Sequence, residues 1–159
     1  MSVMPGGLEE KAVQEIAEAI NPVIADGFGL YEKTKKFYLN VSRSRAGDYQ
    51  FFLDGQAQEI FASMDELAEQ VRQIGATPLR SISHTGELQS IESYKSDFLS
   101  LAEMIEELIA DNQRIAASMR VAGKICEKIC DTSIGVILQD VLDKTERRIK
   151  LLREAEMRN

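Results

Sequence analysis

Three carboxylates are the side chains whose spacing in this sequence is most typical of chemistry. Asp54, Asp65 and Glu69 are 11 and 4 residues apart, so a helix places them within about 60° of one another. Hard oxygen donors on a rigid helix suit iron, manganese or magnesium, and carboxylate sites in helical bundles use positions four residues apart. The pattern predicts a metal-binding stripe, and a solvated acidic face is the alternative interpretation.

Other residues able to do chemistry are scarce. The chain has one histidine, two cysteines and no tryptophan, which excludes a histidine-rich zinc or iron centre within one copy. Cys126 and Cys130 lack the CxxC spacing of redox and zinc motifs, so we interpret them as reduced thiols near a core. His84 lies away from the carboxylates, and we interpret it as a structural contact at a subunit interface.

Composition predicts a single soluble domain over residues 1–159, with a flexible tail over residues 1–10. The chain is 44% hydrophobic, and no apolar run is long enough to span a membrane. Its formal net charge of −7 argues against a surface that binds phosphate backbones. The N-terminus has no secretory signal pattern, so we expect a cytoplasmic protein. We interpret the one local basic cluster as a solvated face paired with acids, with contact to phosphate as the alternative; it comprises Lys33, Lys35, Lys36, Arg43 and Arg45.

Helical periodicity must position these residues. Apolar residues recur every three or four positions over residues 16–37, 53–74, 101–130 and 134–152, which predicts four long helices. Asn21-Pro22 predicts a fresh helix start or a mild kink, and residues 41–47 read as a loop. Gly75 suits a left-handed cap after the second helix.

A fifth, short helix is predicted over residues 81–91, between the second and third long helices. It implies a long connection that crosses the bundle, because a tight hairpin would leave no room for it. We therefore predict an all-α fold with the ferritin-like topology, a four-helix bundle with a short helix in the crossover, rather than a plain up-and-down bundle.

Runs of residues throughout the chain resemble the Dps (DNA-protection-during-starvation) branch of the ferritin superfamily. The resemblance covers roughly residues 16 to 156. The runs that carry it are residues 30–41, 48–54, 65–69, 74–75, 79–84, 107–113, 131–132, 146–152 and 154–155. It implies a hollow dodecamer of identical subunits that oxidises ferrous iron with peroxide or oxygen and stores the ferric mineral inside.

The resemblance also implies a set of iron ligands shared between two-fold-related subunits. In the family, two histidines and an aspartate come from one subunit, and an aspartate and a glutamate from its neighbour. The histidine positions fall on Tyr38 and Gln50 here, and the acids on Asp54, Asp65 and Glu69. Both histidines are therefore replaced. An amide carbonyl is a weak ligand for ferrous iron and a phenol must first lose its proton, so iron is expected to bind weakly.

Asp131 resembles an acid near the pore through which ions enter shells of this family. It also stands where the fourth helix is predicted to begin, with residues 131–133 as capping candidates, and a helix N-cap is the alternative role. The next acid of the family's pore falls on Gly135 in this sequence, so the resemblance is incomplete there.

Two functions of different classes remain. The first is an iron-binding and iron-storing shell that protects against oxidative stress, in which ferroxidase activity is weak or absent. The second is a structural cage or interaction subunit without metal chemistry. DNA binding is not expected, because residues 1–10 lack the lysines of DNA-binding tails in the family.

Overall fold

Four long helices make up the part of the chain that the structure describes. A computed structural model describes residues 9–41, 46–78, 99–129 and 132–158. Its helices are α1 (Glu10–Asn40), α2 (Ala46–Gln73), α3 (Leu101–Ile129) and α4 (Thr132–Met157). The predicted all-α, ferritin-like four-helix bundle is confirmed. The predicted short helix over residues 81–91, and most of the predicted tail, lie outside the described residues.

The order of the helices around the bundle requires a crossover. Helix α1 packs against α2 and α3, helix α4 packs against α3 and, less extensively, against α2, and the described residues of α2 and α3 do not contact each other. In an up-and-down bundle with short loops, consecutive helices are neighbours. Since α2 and α3 are diagonal partners, the connection between them has to cross the bundle.

Helix α1 runs through Pro22 without interruption, so a fresh helix start at Asn21-Pro22 is wrong. Proline removes one backbone hydrogen bond from a helix interior. Ile20, Val23 and Ile24 on either side of it are fully buried, and tertiary packing of this apolar stripe outweighs the local loss. The Asn21 side chain also ties this point to the far end of α2, because its amide donates to the Thr77 carbonyl at 3.1 Å.

The ends of α2 follow local rules with one correction. The helix begins at Ala46, so the prediction that Ala46 and Gly47 belong to a loop is wrong. Asp48 places a negative charge in the first turn, where the helix dipole favours it. At the other end Gly75 has φ 96°, as predicted. The Gly75 and Ala76 amides donate to carbonyls of the last helical turn, which is a Schellman C-cap.

Helix α3 begins with Ser100 as its N-cap. The Glu103 amide donates to Ser100 Oγ at 3.2 Å, and the Ser100 hydroxyl donates to Glu103 Oε1 at 3.1 Å. This exchange satisfies one of the free amides that every helix start exposes.

The core is a continuous set of aliphatic side chains with few aromatic residues. Its largest fully buried members include Phe37, Ile16, Ile20, Leu30, Leu53, Ile60, Leu67, Ile105, Leu108 and Ile115. Most of them occupy positions of the predicted apolar stripes, but Leu30 and Leu67 are fully buried although the predicted stripes do not include them. Phe61 deviates in the opposite direction, because it is 46% exposed although the predicted stripe of α2 includes it.

Candidate metal centre and the ion pairs around it

Asp54 is the most enclosed of the three candidate carboxylates, and both of its oxygens are already engaged. The Lys35 ammonium of α1 lies 2.8 Å from Asp54 Oδ1, and the Gln58 amide donates to Oδ2 at 2.9 Å. The hydrogen bond to Asp54 raises the pKa of Lys35, so this lysine is a cation at neutral pH. A metal ion at Asp54 would have to displace it.

The two residues that the resemblance aligns with histidine ligands lie beside this pair. The Lys35 ammonium is 4.8 Å from the centre of the half-buried Tyr38 ring, which is cation–π distance. The Gln50 amide donates to the Tyr38 backbone carbonyl at 3.3 Å. Tyr38, Gln50 and Asp54 are therefore neighbours, but a lysine and hydrogen bonds, rather than free nitrogen donors, surround the carboxylate.

Asp65 and Glu69 are exposed on α2. Arg72 donates to both oxygens of Glu69, from Nε at 3.0 Å and from Nη2 at 2.5 Å, and the Gln73 amide donates at 3.4 Å. The hydrogen bond from Arg72 lowers the pKa of Glu69. Asp65 is exposed and makes no hydrogen bond or ion pair with another described residue, so it is the candidate ligand most open to an incoming cation.

A single copy of the chain cannot bring the three carboxylates to one metal ion. At 1.5 Å per residue, Asp54 and Asp65 are separated by about 16 Å along α2. Among the described residues, no group of three or more histidine, cysteine, aspartate or glutamate side chains could hold a metal ion. Any centre that uses all three needs a second copy, as the family resemblance implies.

Other residues named from the sequence are partly described. Asp131, His84 and Cys130 lie outside the described residues, so the pore and interface predictions for them stay predictions. Cys126 is fully buried in the core, which agrees with the prediction that it lies near a core.

The basic cluster is paired with acids at Lys33 and Lys35, as predicted, but Lys33 is buried rather than on a solvated face. Two further members lie outside the described residues, Arg43 and Arg45. The Lys33 side chain is 4% exposed, and its ammonium lies 2.7 Å from both Glu107 and Asp111 of α3. Burial works against its charge, but the hydrogen bonds to Asp111 and Glu107 outweigh burial and raise the pKa of Lys33. Burial raises the pKa of Asp111, and the hydrogen bond with Lys33 opposes part of this rise.

A second buried cation lies on the other side of the bundle. The Arg148 side chain of α4 is 3% exposed and pairs with Glu59 of α2 at 2.7 Å. Its other nitrogens donate to Asn112 Oδ1 at 2.8 Å and Thr145 Oγ1 at 3.1 Å. Burial lowers the pKa of Arg148, although Glu59 opposes the shift.

The sequence analysis did not predict that Lys33 and Arg148 are buried, although their positions within the apolar stripes indicate it. Lys33 falls between Leu30 and Phe37 in the apolar stripe of α1, and Arg148 continues the buried positions Val141 and Thr145 of α4. A charged residue in a core register predicts a buried, paired ion, since unpaired charges are excluded from cores.

An exposed aromatic patch shares the outer face of α2 with the carboxylates. Phe61 contacts Phe28 and Tyr31 of α1, at ring-centre distances of 5.8 and 5.2 Å. Seven residues separate Phe61 from Asp54, which places both on the same side of the helix. The face of the molecule that carries the candidate metal ligands is therefore also apolar at its centre.

Comparisons with known proteins agree with this architecture. The family model described as a ferritin-like domain matches residues 17–155. Over 124 residues the chain is 26% identical to the DNA protection during starvation protein 1 of Deinococcus radiodurans, an alignment that covers 78% of this chain and 60% of that relative. The chain thus spans about 60% of the length of the Deinococcus protein.

Two further proteins match over nearly their full lengths. The DNA protection during starvation protein of Brevibacillus brevis is 25% identical over 143 residues, covering 87% of this chain and 93% of the relative. The crystal structure of the Dps protein from Vibrio cholerae O1, a member of a broad superfamily of ferritin-like diiron-carboxylate proteins, has a TM-score of 0.91 at 18% identity and covers 97% of this chain and 96% of that one. This chain belongs to the ferritin-like family, within its Dps branch.

Proposed function

We propose that this chain is the subunit of a dodecameric Dps-like shell that binds and stores iron, and that its inter-subunit ferroxidase site is degraded. In this proposal ferrous iron is the cargo, bound weakly at Asp54, Asp65 and Glu69, and peroxide or oxygen is the oxidant. Protection against oxidative stress follows from removing ferrous iron from solution.

One observation carries the proposed loss of ferroxidase activity. The Asp54 carboxylate is held by the chain's own cation, Lys35, at 2.8 Å, while Tyr38 and Gln50 stand where the resemblance places histidines. Ferrous iron would have to break this ion pair and would gain no imidazole nitrogen in return. Fast iron oxidation needs a preorganised set of ligands, and here the preorganised partner of the carboxylate is an ammonium group.

The exposed aromatic patch supports assembly through the same face. Phe61 is 46% exposed and lies beside Asp65 on α2, where a second copy related by a two-fold axis would cover it. Such an interface would bring Asp65 and Glu69 of one copy near Asp54 of another. Each copy has a formal charge of −7, so the assembled shell would concentrate cations around it.

The test is ferrous iron oxidation by peroxide, followed by stopped-flow absorbance of the ferric product. The wild-type assembly should oxidise iron close to the rate in buffer alone. The triple variant Lys35→Met/Tyr38→His/Gln50→His frees Asp54 and supplies two imidazoles, so we expect a rate gain of about tenfold or more. Rapid stoichiometric oxidation by the wild-type protein would contradict the degraded site.

A matched control separates ligand chemistry from altered packing. The variant Lys35→Met/Tyr38→Phe/Gln50→Leu makes changes of similar size at the same three positions but adds no nitrogen donor. It should remain as slow as the wild type, because it frees the carboxylate without completing a ligand set.

The occupied carboxylates also favour a second function, a structural cage or interaction subunit without metal chemistry. Anaerobic loading with ferrous iron followed by slow air oxidation distinguishes the two. Iron retained with the shell after gel filtration, measured by elemental analysis, supports storage. Iron at the level of a bovine serum albumin control supports the bare cage.

We also propose that DNA is not a partner, although several relatives carry DNA protection in their names. The net charge of −7 opposes binding to phosphates. Plasmid at low salt should migrate unchanged when the protein is added in excess, and a retarded band that disappears at higher salt would contradict this proposal.

A further inference from the structure

Two ion pairs lie on either side of the exposed Phe61 on the outer face of α2. Lys35 of α1 pairs with Asp54 at 2.8 Å, and Arg72 pairs with Glu69. Asp54 precedes Phe61 by seven residues and Glu69 follows it by eight, which places them about 10 Å and about 12 Å from it along the helix axis. This face of α2 therefore has an apolar centre and one acid–base pair towards each end.

Both pairs remain partly open to solvent in one copy of the chain. The Lys35 and Asp54 side chains are 36% and 31% exposed, and the Arg72 and Glu69 side chains are 66% and 47% exposed. Pairs with this exposure contribute little to the stability of a single chain. They have accessible surface left for further charged partners, and the attraction within each pair grows when a second copy excludes water from it.

A two-fold axis at Phe61 would bring the two kinds of pair face to face. Homo-oligomers mostly assemble through such self-complementary contacts. When the two copies of α2 run antiparallel across the axis, a residue before Phe61 lies opposite one that follows it by the same distance in the second copy. Asp54 then lies opposite the partner subunit's Glu69, because their distances from Phe61 along the helix differ by only about 1.5 Å.

The charges favour this antiparallel contact over a parallel one. In a parallel contact each pair would face its own copy, so that Asp54 would lie against the partner subunit's Asp54. In the antiparallel contact the pair of Lys35 and Asp54 faces a different pair, the partner subunit's Arg72 and the partner subunit's Glu69. Each cation then has a second carboxylate within reach, and opposite charges across an interface fix its register.

The remaining polar residues of the face fit the same register. Asp65 follows Phe61 by four residues and Gln58 precedes it by three, so Asp65 lies opposite the partner subunit's Gln58. The Gln58 amide donates one hydrogen bond to Asp54 within its own chain, and an amide group has a second N–H to donate. The exposed Asp65 therefore meets a neutral donor rather than another carboxylate.

We propose that Lys35 and Arg72 are the resident cations of an interface between two copies of this chain. In each half of the interface, Lys35 contacts Asp54 and the partner subunit's Glu69. Asp54 in turn accepts a hydrogen bond from the partner subunit's Arg72. Positive and negative charges balance, so contact through this face needs no metal ion. The proposal rests on the assembly proposed above, in which the same carboxylates are candidate iron ligands.

The first test asks whether assembly needs a metal ion. Sedimentation velocity of the full chain over a series of concentrations, with and without EDTA, gives the mass and the apparent dissociation constant of the assembly. Both should be the same in the two buffers, because the chain's own cations occupy the interface. An assembly that dissociates in EDTA and forms again with magnesium chloride would overturn the proposal, and a monomer in both buffers would overturn it together with the proposed shell.

A double-mutant cycle tests whether Lys35 and Glu69 meet across the interface. Within one chain, Asp54, which Lys35 contacts, lies about 22 Å from Glu69 along α2, and substitutions that far apart act independently. Lys35→Met and Glu69→Gln should each raise the apparent dissociation constant about tenfold. The double variant should raise it no further, because Asp54 then pairs with the partner subunit's Arg72, which has lost its own carboxylate.

Lys144→Met is the matched control for the loss of a lysine. Lys144 is 34% exposed and pairs with Asp140 at 3.1 Å on α4, so the variant removes a comparable ion pair away from the outer face of α2. It should leave the dissociation constant unchanged, and circular dichroism verifies that every variant retains its helix content. An increase of about a hundredfold in the double variant, as additivity requires, would overturn the proposal, and so would wild-type affinity in both single variants.

Failure of this interface and failure of iron storage give different results. A shell that assembles in EDTA and shows the coupling between Lys35 and Glu69 but retains no iron would contradict the storage function and support this proposal. Additive substitutions in a shell that retains iron would overturn this proposal alone.

Discussion

At the residue scale, the main feature is that cations of the chain itself neutralise three carboxylates that lie between helices. Lys33 pairs with Asp111, Lys35 with Asp54, and Arg148 with Glu59. Diiron proteins of this architecture place metal ions between carboxylates of facing helices. In this chain lysine and arginine nitrogens provide the positive charge at the carboxylates of these three pairs, and each pair joins two helices.

The first prediction concerns the buried lysine. Lys33→Met should lower the free energy of unfolding by about 3 to 5 kcal/mol, because it leaves the buried Asp111 without its cation. Chemical denaturation monitored by circular dichroism measures the loss. The double variant Lys33→Met/Asp111→Leu removes both charges and should recover most of the lost free energy of unfolding. A loss below about 1 kcal/mol in the single variant would show that the pair contributes little to stability.

The second prediction concerns alkaline pH. The pKa of Lys33 is raised from 10.5 in the folded state, so the folded chain holds this proton more tightly than the unfolded chain. The resulting stability is fully present below pH 10.5 and is lost as pH rises through the folded pKa. Denaturation at about pH 9 and about pH 11 should therefore show a steeper loss for the wild type than for Lys33→Met. Equal slopes would contradict the shift.

At the element scale, the close approach of α1 and α2 depends on a glycine. A Cβ atom at Gly27 would overlap Sδ and Cγ of Met64, a side chain that is 1% exposed. Gly55 of α2 is different, because a Cβ there would meet open space. Glycine in a helix interior costs stability through backbone entropy, so only Gly27 repays that cost with packing.

These two glycines give the third prediction. Gly27→Ala should destabilise the fold by about 1 to 3 kcal/mol, because the methyl group overpacks a buried contact. Gly55→Ala should stabilise it by about 0.5 to 1 kcal/mol through helix propensity. Thermal unfolding measures both. A double-mutant cycle with Met64→Ala should show that the Gly27 penalty shrinks when Met64 is shortened; simple additivity would place the strain elsewhere.

At the scale of the whole molecule, the bundle closes as a ring of helices with an apolar patch on one outer side. Phe28, Tyr31 and Phe61 form this patch, and the candidate carboxylates lie on the same side of α2. Exposed aromatic patches on small proteins usually mark an interface. Within the described residues, no helix is long and apolar enough to cross a membrane.

The fourth prediction concerns assembly through this patch. Light scattering after gel filtration should give a mass near twelve times 17.8 kDa for the wild type. Phe61→Lys should lower that mass while helix content is retained, since the side chain is already 46% exposed within one copy. Phe51→Lys, at a more exposed site about 80° around the same helix, is the control and should assemble normally. A monomeric wild type would refute the shell.

Much of the element structure followed from local patterns. Apolar periodicity located all four helices, and Gly75 marked the end of α2 because only a left-handed residue completes that cap. Local patterns misjudged Pro22, where burial of the neighbouring stripe overrides the loss of one hydrogen bond. They also misjudged Lys33, because spacing along one helix does not reveal which residues of another helix face it.

The sequence by itself determined the helices, the family resemblance and the scarcity of histidine, with one in the whole chain, since each depends on residue type and spacing along the chain. Only the tertiary structure decided which charges meet. The pairs Lys33–Asp111, Lys35–Asp54 and Arg148–Glu59 join residues 78, 19 and 89 positions apart. Their formation depends on helix packing, which brings the partners together, and at Lys33 and Arg148 burial makes an unpaired charge too costly to leave without a partner.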